Sequence, residues 1–213
     1  VDTEQLLKLA SNWPAEARDS YQQALEEGQP YTILIAGSLA LGTDENSWSQ
    51  LVKQEIKKGY GDTVKVSIKT FDLTSQKFIS DDKLEELIAE KPDLTLLEPF
   101  TLMNNGGNVT VNAAQQHIEE IASGLAASNP NHVLLLQPPP PLYQARNYPI
   151  QVNQLQKFAE EEGIPYLNHW TALPNPNSEE ILEYITGEGS ATKPSEKGHQ
   201  VWAEYLADYF IAD

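Results

Sequence analysis

Cysteine is missing from all 213 residues. That absence excludes disulfides, thiolate metal sites and cysteine nucleophiles together. Basic side chains are scarce: 14 Lys and Arg stand against 31 Asp and Glu, a formal charge of −17. Such a chain has no basic patch to displace phosphate counterions, which excludes nucleic acid as a partner. An anionic membrane leaflet would repel it equally. Long apolar runs are lacking too. The longest, such as 133–136, are strand-sized, far below the ~20 residues of a transmembrane segment. Without cysteine, and starting in polar sequence, the chain is expected to be extracellular or attached to the cell surface.

What is present fits one α/β domain over 1–213, since two domains of ordinary size need more chain. Residues 1–30 read as a helical extension, with helices over 3–10 and 14–27. Pro14 suits a first helical turn, and Gly28 followed by Pro30 stops the second helix. The run 31–36, Tyr-Thr-Ile-Leu-Ile-Ala, has the continuous β-branched character of a strand buried on both faces. Further strands are expected over 63–69 (polar, at an edge), 93–98, 132–137 and 164–167, with prolines 138–141 halting the fourth. Helices are expected over 46–58, 82–91 (capped by Asp81 or Asp82), 112–127, 149–162 and 195–210, and a loop rich in Asn and Gly over 99–109.

This alternation predicts a three-layer α/β/α, flavodoxin-like fold with five parallel strands and right-handed crossovers. Ligands bind beyond the carboxyl ends of such strands. The residues placed there are Ser38, Asp72, Asn104 and Asn105, Gln137, and His169. Gly37, Asp72, Glu98 and Gln137, at or just past strand ends, are candidate ligand contacts.

Ser38 carries the most chemistry. A serine on a tight turn between a buried strand and a helix exposes its hydroxyl at the sheet edge, with its own N–H ready to meet an oxyanion. The small neighbours Ala36, Gly37, Ala40 and Gly42 let a substrate approach. The plainer alternative is a turn residue or helix cap.

The stretch Ile35-Ala-Gly-Ser-Leu-Ala-Leu-Gly42 resembles the first block of the SGNH (GDSL-type) hydrolases, Gly-Asp-Ser-Leu-x-x-Gly. The run into Gln137-Pro-Pro-Pro-Pro141 is similar to that family's strand-then-proline segment. Pro194-Ser-Glu-Lys-Gly-His-Gln-Val-Trp-Ala203 is similar to the end of its last block. The resemblance implies hydrolysis of acyl or acetyl esters of lipids or carbohydrates, without cofactor or metal. Ser38 would be the nucleophile, and Ser38 N–H with an Asn104 or Asn105 amide would hold the oxyanion.

The departures from that pattern bear on activity. Gly37 stands where the family has Asp, Lys193 where it has the base histidine, and Ser190 where it has the orienting acid. His199 lies inside the last helix, away from the base position. No glycine occurs between Gly61 and Gly106, so the family's glycine oxyanion donor after the second strand has no counterpart. A serine hydroxyl needs a base within hydrogen-bond reach. Three outcomes are open: Lys193 serves as base, His169 serves with Asp72 or Glu98 orienting it, or the cleft only binds. Weak or absent hydrolysis of activated short-chain esters is therefore expected. Asp72, Glu98 and His169 lack metal-ligand spacing. His117 and His132 are expected to be structural, and Trp48, Trp170 and Trp202 to be core rather than a sugar cleft. Gly106-Gly107 lacks the lysine of a phosphate loop.

Overall fold

Tyr31–Gly37 forms β1, whose residues Ile33, Leu34, Ile35 and Ala36 are fully buried in the computed structural model, which describes residues 2–213. Two helices precede it, α1 (Thr3–Leu9) and α2 (Ala15–Glu27), the second ended by Gly28 in the left-handed conformation. After β1 come a 3-10 turn at Leu39–Leu41, α3 (Trp48–Tyr60), β2 (Val64–Thr70), α4 (Ser75–Ser80), α5 (Leu84–Ile88) and β3 (Leu94–Leu97). The chain continues through α6 (Thr101–Gly106), α7 (Val111–Ser128), β4 (Val133–Leu136) and α8 (Tyr148–Glu161). An antiparallel pair, β5 (Ile185–Thr186) with β6 (Lys193–Pro194), leads into α9 (Glu196–Phe210).

The main sheet is parallel, in the order β2-β1-β3-β4. The polar strand β2 lies at an edge, as its composition predicts. Side chains alternate across the sheet with period two. Ile33, Ile35, Leu94, Leu96 and Leu135 face a core shared with α3 and α9 and the first two helices. Leu34, Ala36, Leu97 and Leu136 face a second core under α4, α5, α7 and α8. The architecture is thus α/β/α, and each fully buried Ile or Leu contributes roughly 1.5–3 kcal/mol to holding the layers together.

Four strands are found where five are expected. The stretch 164–167 is reduced to one parallel bridge between Leu136 and Tyr166. Leu136 N–H donates to the Pro165 carbonyl at 2.9 Å, and Leu167 N–H donates to the Leu136 carbonyl at 2.8 Å. Pro165 has no N–H to carry the ladder on toward Leu134. The helix expected over 82–91 also shrinks to α5, because Asp82 and Lys91 both take positive φ, 54° and 49°. Neither Asp81 nor Asp82 is its N-cap; Lys83 holds that position, with no side-chain hydrogen bond. Two helices are unexpected. Thr74 caps α4 by accepting from Lys77 N–H at 3.2 Å, and α6 occupies the stretch read as a loop.

Candidate active site

Parallel register brings the site together. Ala36 lies beside Leu97, so the chain leaves β1 and β3 at the same level, with Gly37 next to Glu98. A Cβ on Gly37 would lie 2.8 Å from Glu98 Cβ and 2.7 Å from Leu41 Cδ1. Only glycine lets the two strand ends approach this closely. Gly37→Asp, which would restore the Asp-Ser-Leu of that first block, is therefore expected to destabilise the fold by about 3 kcal/mol. Urea denaturation measures this, and a variant as stable as wild type would contradict such packing.

Ser38 sits at the carboxyl end of β1, 5 % exposed. Its Oγ accepts from Ala40 N–H at 3.3 Å, so the capping role and the site position coincide. The same hydroxyl donates to Glu98 Oε1 at 2.5 Å. Phe100 N–H donates to Glu98 Oε2 at 2.6 Å. Phe100 reaches that position with φ of 62°, a left-handed conformation costly for an aromatic residue. Burial pushes the Glu98 carboxyl up to about 7, against the opposing pull of Ser38 and Phe100.

A cavity of about 180 Å³ opens on the other side of Ser38. Asp72 lines it after β2, Leu102 and Met103 line it from α6, and Ser190 to Lys193 close it from the segment entering β6. Ser38, Asp72, Ser190 and Lys193 thus share one cavity at the carboxyl edge of the sheet. Lys193 is exposed there, and its hydrogen bonds do not include Ser38 among the described residues.

The remaining candidates lie elsewhere. Asn104 and Asn105, also on α6, make their contacts outside this cavity. Asn104 Oδ1 accepts from Ser75 N–H at 2.8 Å, and its buried Nδ2 has no partner. Asn105 Nδ2 donates to Gln151 Oε1 at 3.0 Å. Neither amide lines the Ser38 cavity, which corrects the expected oxyanion arrangement.

His169 is fully buried and stacks on Trp202, ring centroids 3.7 Å apart and planes 6° from parallel. Neither of its ring nitrogens has a hydrogen-bond partner, so Asp72 and Glu98 do not orient it. Burial holds its imidazole well below the usual range, hence neutral. Trp202 stacks in turn on Trp48 at 4.4 Å, and its Nε1 donates to Gln137 Oε1 at 2.9 Å. Gln137 therefore belongs to this internal stack and not to the cavity. His117 and His132 pair with Ser75 and Thr95 hydroxyls, both at 2.8 Å. Among the described residues, no cluster of three His, Cys, Asp or Glu could hold a metal ion. No described helix is long and apolar enough to cross a membrane.

The sequence named Glu98 but assigned it to the wrong partner. Its signal was an acid closing the apolar run Leu94 to Leu97, one residue beyond the strand that pairs with β1.

No family model matches the chain. No curated protein matches it either. Solved structures do. A lipolytic protein of the G-D-S-L family from Desulfitobacterium hafniense superimposes with a TM-score of 0.66 at 22 % identity, covering 84 % of this chain and 98 % of that one. A GDSL-like lipase from Bacteroides thetaiotaomicron gives 0.61 at 16 % identity, covering 92 % of this chain and 98 % of the other. A catalytic mutant of an acetylxylan esterase from Geobacillus stearothermophilus gives 0.63 at 14 % identity, covering 84 % and 94 %. The fold is that of the SGNH hydrolases.

Proposed function

We propose that this chain hydrolyses a small acyl or acetyl ester of a carbohydrate or lipid, with Ser38 as nucleophile. The observation that carries this reading is Ser38, which lines a cavity at the carboxyl edge of the sheet and whose hydroxyl is hydrogen-bonded to an ionisable group. Ser38 Oγ would form the new bond to the acyl carbon as the alcohol departs, and water would then release the acid. The neighbours named as lipases and an acetylxylan esterase support an ester substrate. The cavity of about 180 Å³ favours a short acyl group, since a water-sized group takes up about 30 Å³.

A second reading is a binding module that keeps the fold without turnover. It is favoured by the engagement of Ser38 Oγ with Glu98 and by a cavity lining that holds no side-chain amide. Losing one oxyanion donor costs roughly 10²–10³-fold in rate, so slow hydrolysis is the expected compromise. Wild type and Ser38→Ala are compared on p-nitrophenyl acetate and butyrate. Slow turnover that vanishes in Ser38→Ala supports the esterase reading. Equal rates in both proteins would leave the binding module.

A further inference from the structure

We infer that Glu98 is the base that takes the proton from the Ser38 hydroxyl, so that the nucleophile is activated by a buried Ser38–Glu98 dyad without histidine. This rests on the ester-hydrolase reading of Ser38.

The geometry meets the first requirement of a base, which is hydrogen-bond contact with the proton it removes. Ser38 Oγ donates to Glu98 Oε1 at 2.5 Å, the short distance typical of a hydroxyl on a charged acceptor. The other carboxylate oxygen is fixed by Phe100 N–H at 2.6 Å, so the acceptor is held in place before any substrate arrives. The absence of a Cβ at Gly37 is what admits the Glu98 backbone to this distance.

The chain's four histidines are all occupied elsewhere. His169 lies under Trp202, His117 and His132 bond to Ser75 and Thr95, and His199 Nδ1 accepts from Trp48 N–H at 3.0 Å. The titratable groups around Glu98 are few. From α8, Tyr148 feels its charge, with the phenol donating to the Pro140 carbonyl at 2.8 Å. Across Ser38, the cavity carries Asp72 and Lys193. Burial then sets the carboxyl near 7, the basicity an imidazole would have supplied.

A fluorophosphonate probe reads this step directly. Ser38 Oγ bonds to phosphorus, fluoride leaves with the electrons of the P–F bond, and the hydroxyl proton passes to Glu98 and on to buffer. Labelling of wild type is expected to rise with pH to a plateau, with its midpoint near 7, where Glu98 becomes ionised. Glu98→Gln should label roughly 10²–10⁴-fold more slowly and lose that rise. Ser38→Ala should not label at all. Labelling that needs Ser38 but is unchanged in Glu98→Gln overturns the dyad and leaves the ester reading standing. Labelling that persists in Ser38→Ala, or its absence from wild type at every pH, overturns both. Should Glu98→Gln not fold, Glu98→Asp decides. The shorter carboxylate should keep a pH rise with a displaced midpoint and a lower plateau, and an unchanged profile refutes the base role.

Discussion

Ser190→Asp combined with Lys193→His is expected to raise turnover of activated short-chain esters roughly 10²–10⁴-fold over wild type. Both positions already line the cavity with Ser38. The segment that carries them is held firmly. A Cβ on Gly198 would lie 2.0 Å from the Tyr184 carbonyl, so only glycine allows α9 to press against the entry to β5. Ser190 packs on Gly106 of α6, where a Cβ would come within 3.0 Å of Ser190 Cβ. An imidazole at position 193 would stand on the open side of Ser38. From there it could activate the water that releases the acyl group, which Glu98, buried behind Ser38, cannot reach without a relay. If the folded double variant turns over esters no faster than wild type, the missing triad is not the limiting defect. The absent oxyanion donors would then set the rate.

Trp202→Ala should cost about 4 kcal/mol or more in unfolding free energy. The indole is fully buried between Trp48 and His169, so its removal opens a large cavity. It also strands Gln137 Oε1, whose donor is the Trp202 indole. A buried acceptor left alone adds roughly 1–3 kcal/mol. Trp170→Ala is the control, since Trp170 is only partly buried although its Nε1 donates to the Pro139 carbonyl at 2.7 Å. Urea midpoints compare the two. A loss in Trp202→Ala no larger than in Trp170→Ala would mean that the three-ring stack has little share in stability.

Much of the fold was legible because local and global signals agree. The apolar runs of β1 and β3, short and bounded by turn residues, and the Gly28 stop are local signals that the tertiary fold reinforces. Where tertiary contacts decide, the reading failed. Asn104-Asn-Gly-Gly107 has the composition of a turn, yet α6 forms because Phe100 turns into it and Leu102 is buried. Each residue of a helix advances about 100°. A single position thus separates Met103, which lines the cavity, from Asn104, which does not. No sequence rule fixes that phase for so short a helix. Ser38 could be found because a tight turn after a buried strand is a local feature. Its bond to Glu98 could not, because it depends on the register between β1 and β3, which are far apart in the chain.

The two chain termini are buckled together. Ala212 N–H donates to the Leu9 carbonyl at 2.7 Å, and Trp13 Nε1 donates to the Phe210 carbonyl at 2.9 Å. The Trp13 ring centroid lies 5.4 to 5.6 Å from those of Tyr21, Tyr31 and Tyr60. The amide protons of α1 are bonded within the helix, so their exchange with solvent waits on the opening of this clasp. Residues 2–13 and 208–212 should accordingly open and close as one cooperative unit. Its position is beside the start of β1, the opposite pole of the sheet from Ser38, so fraying of either tail need not disturb the cavity.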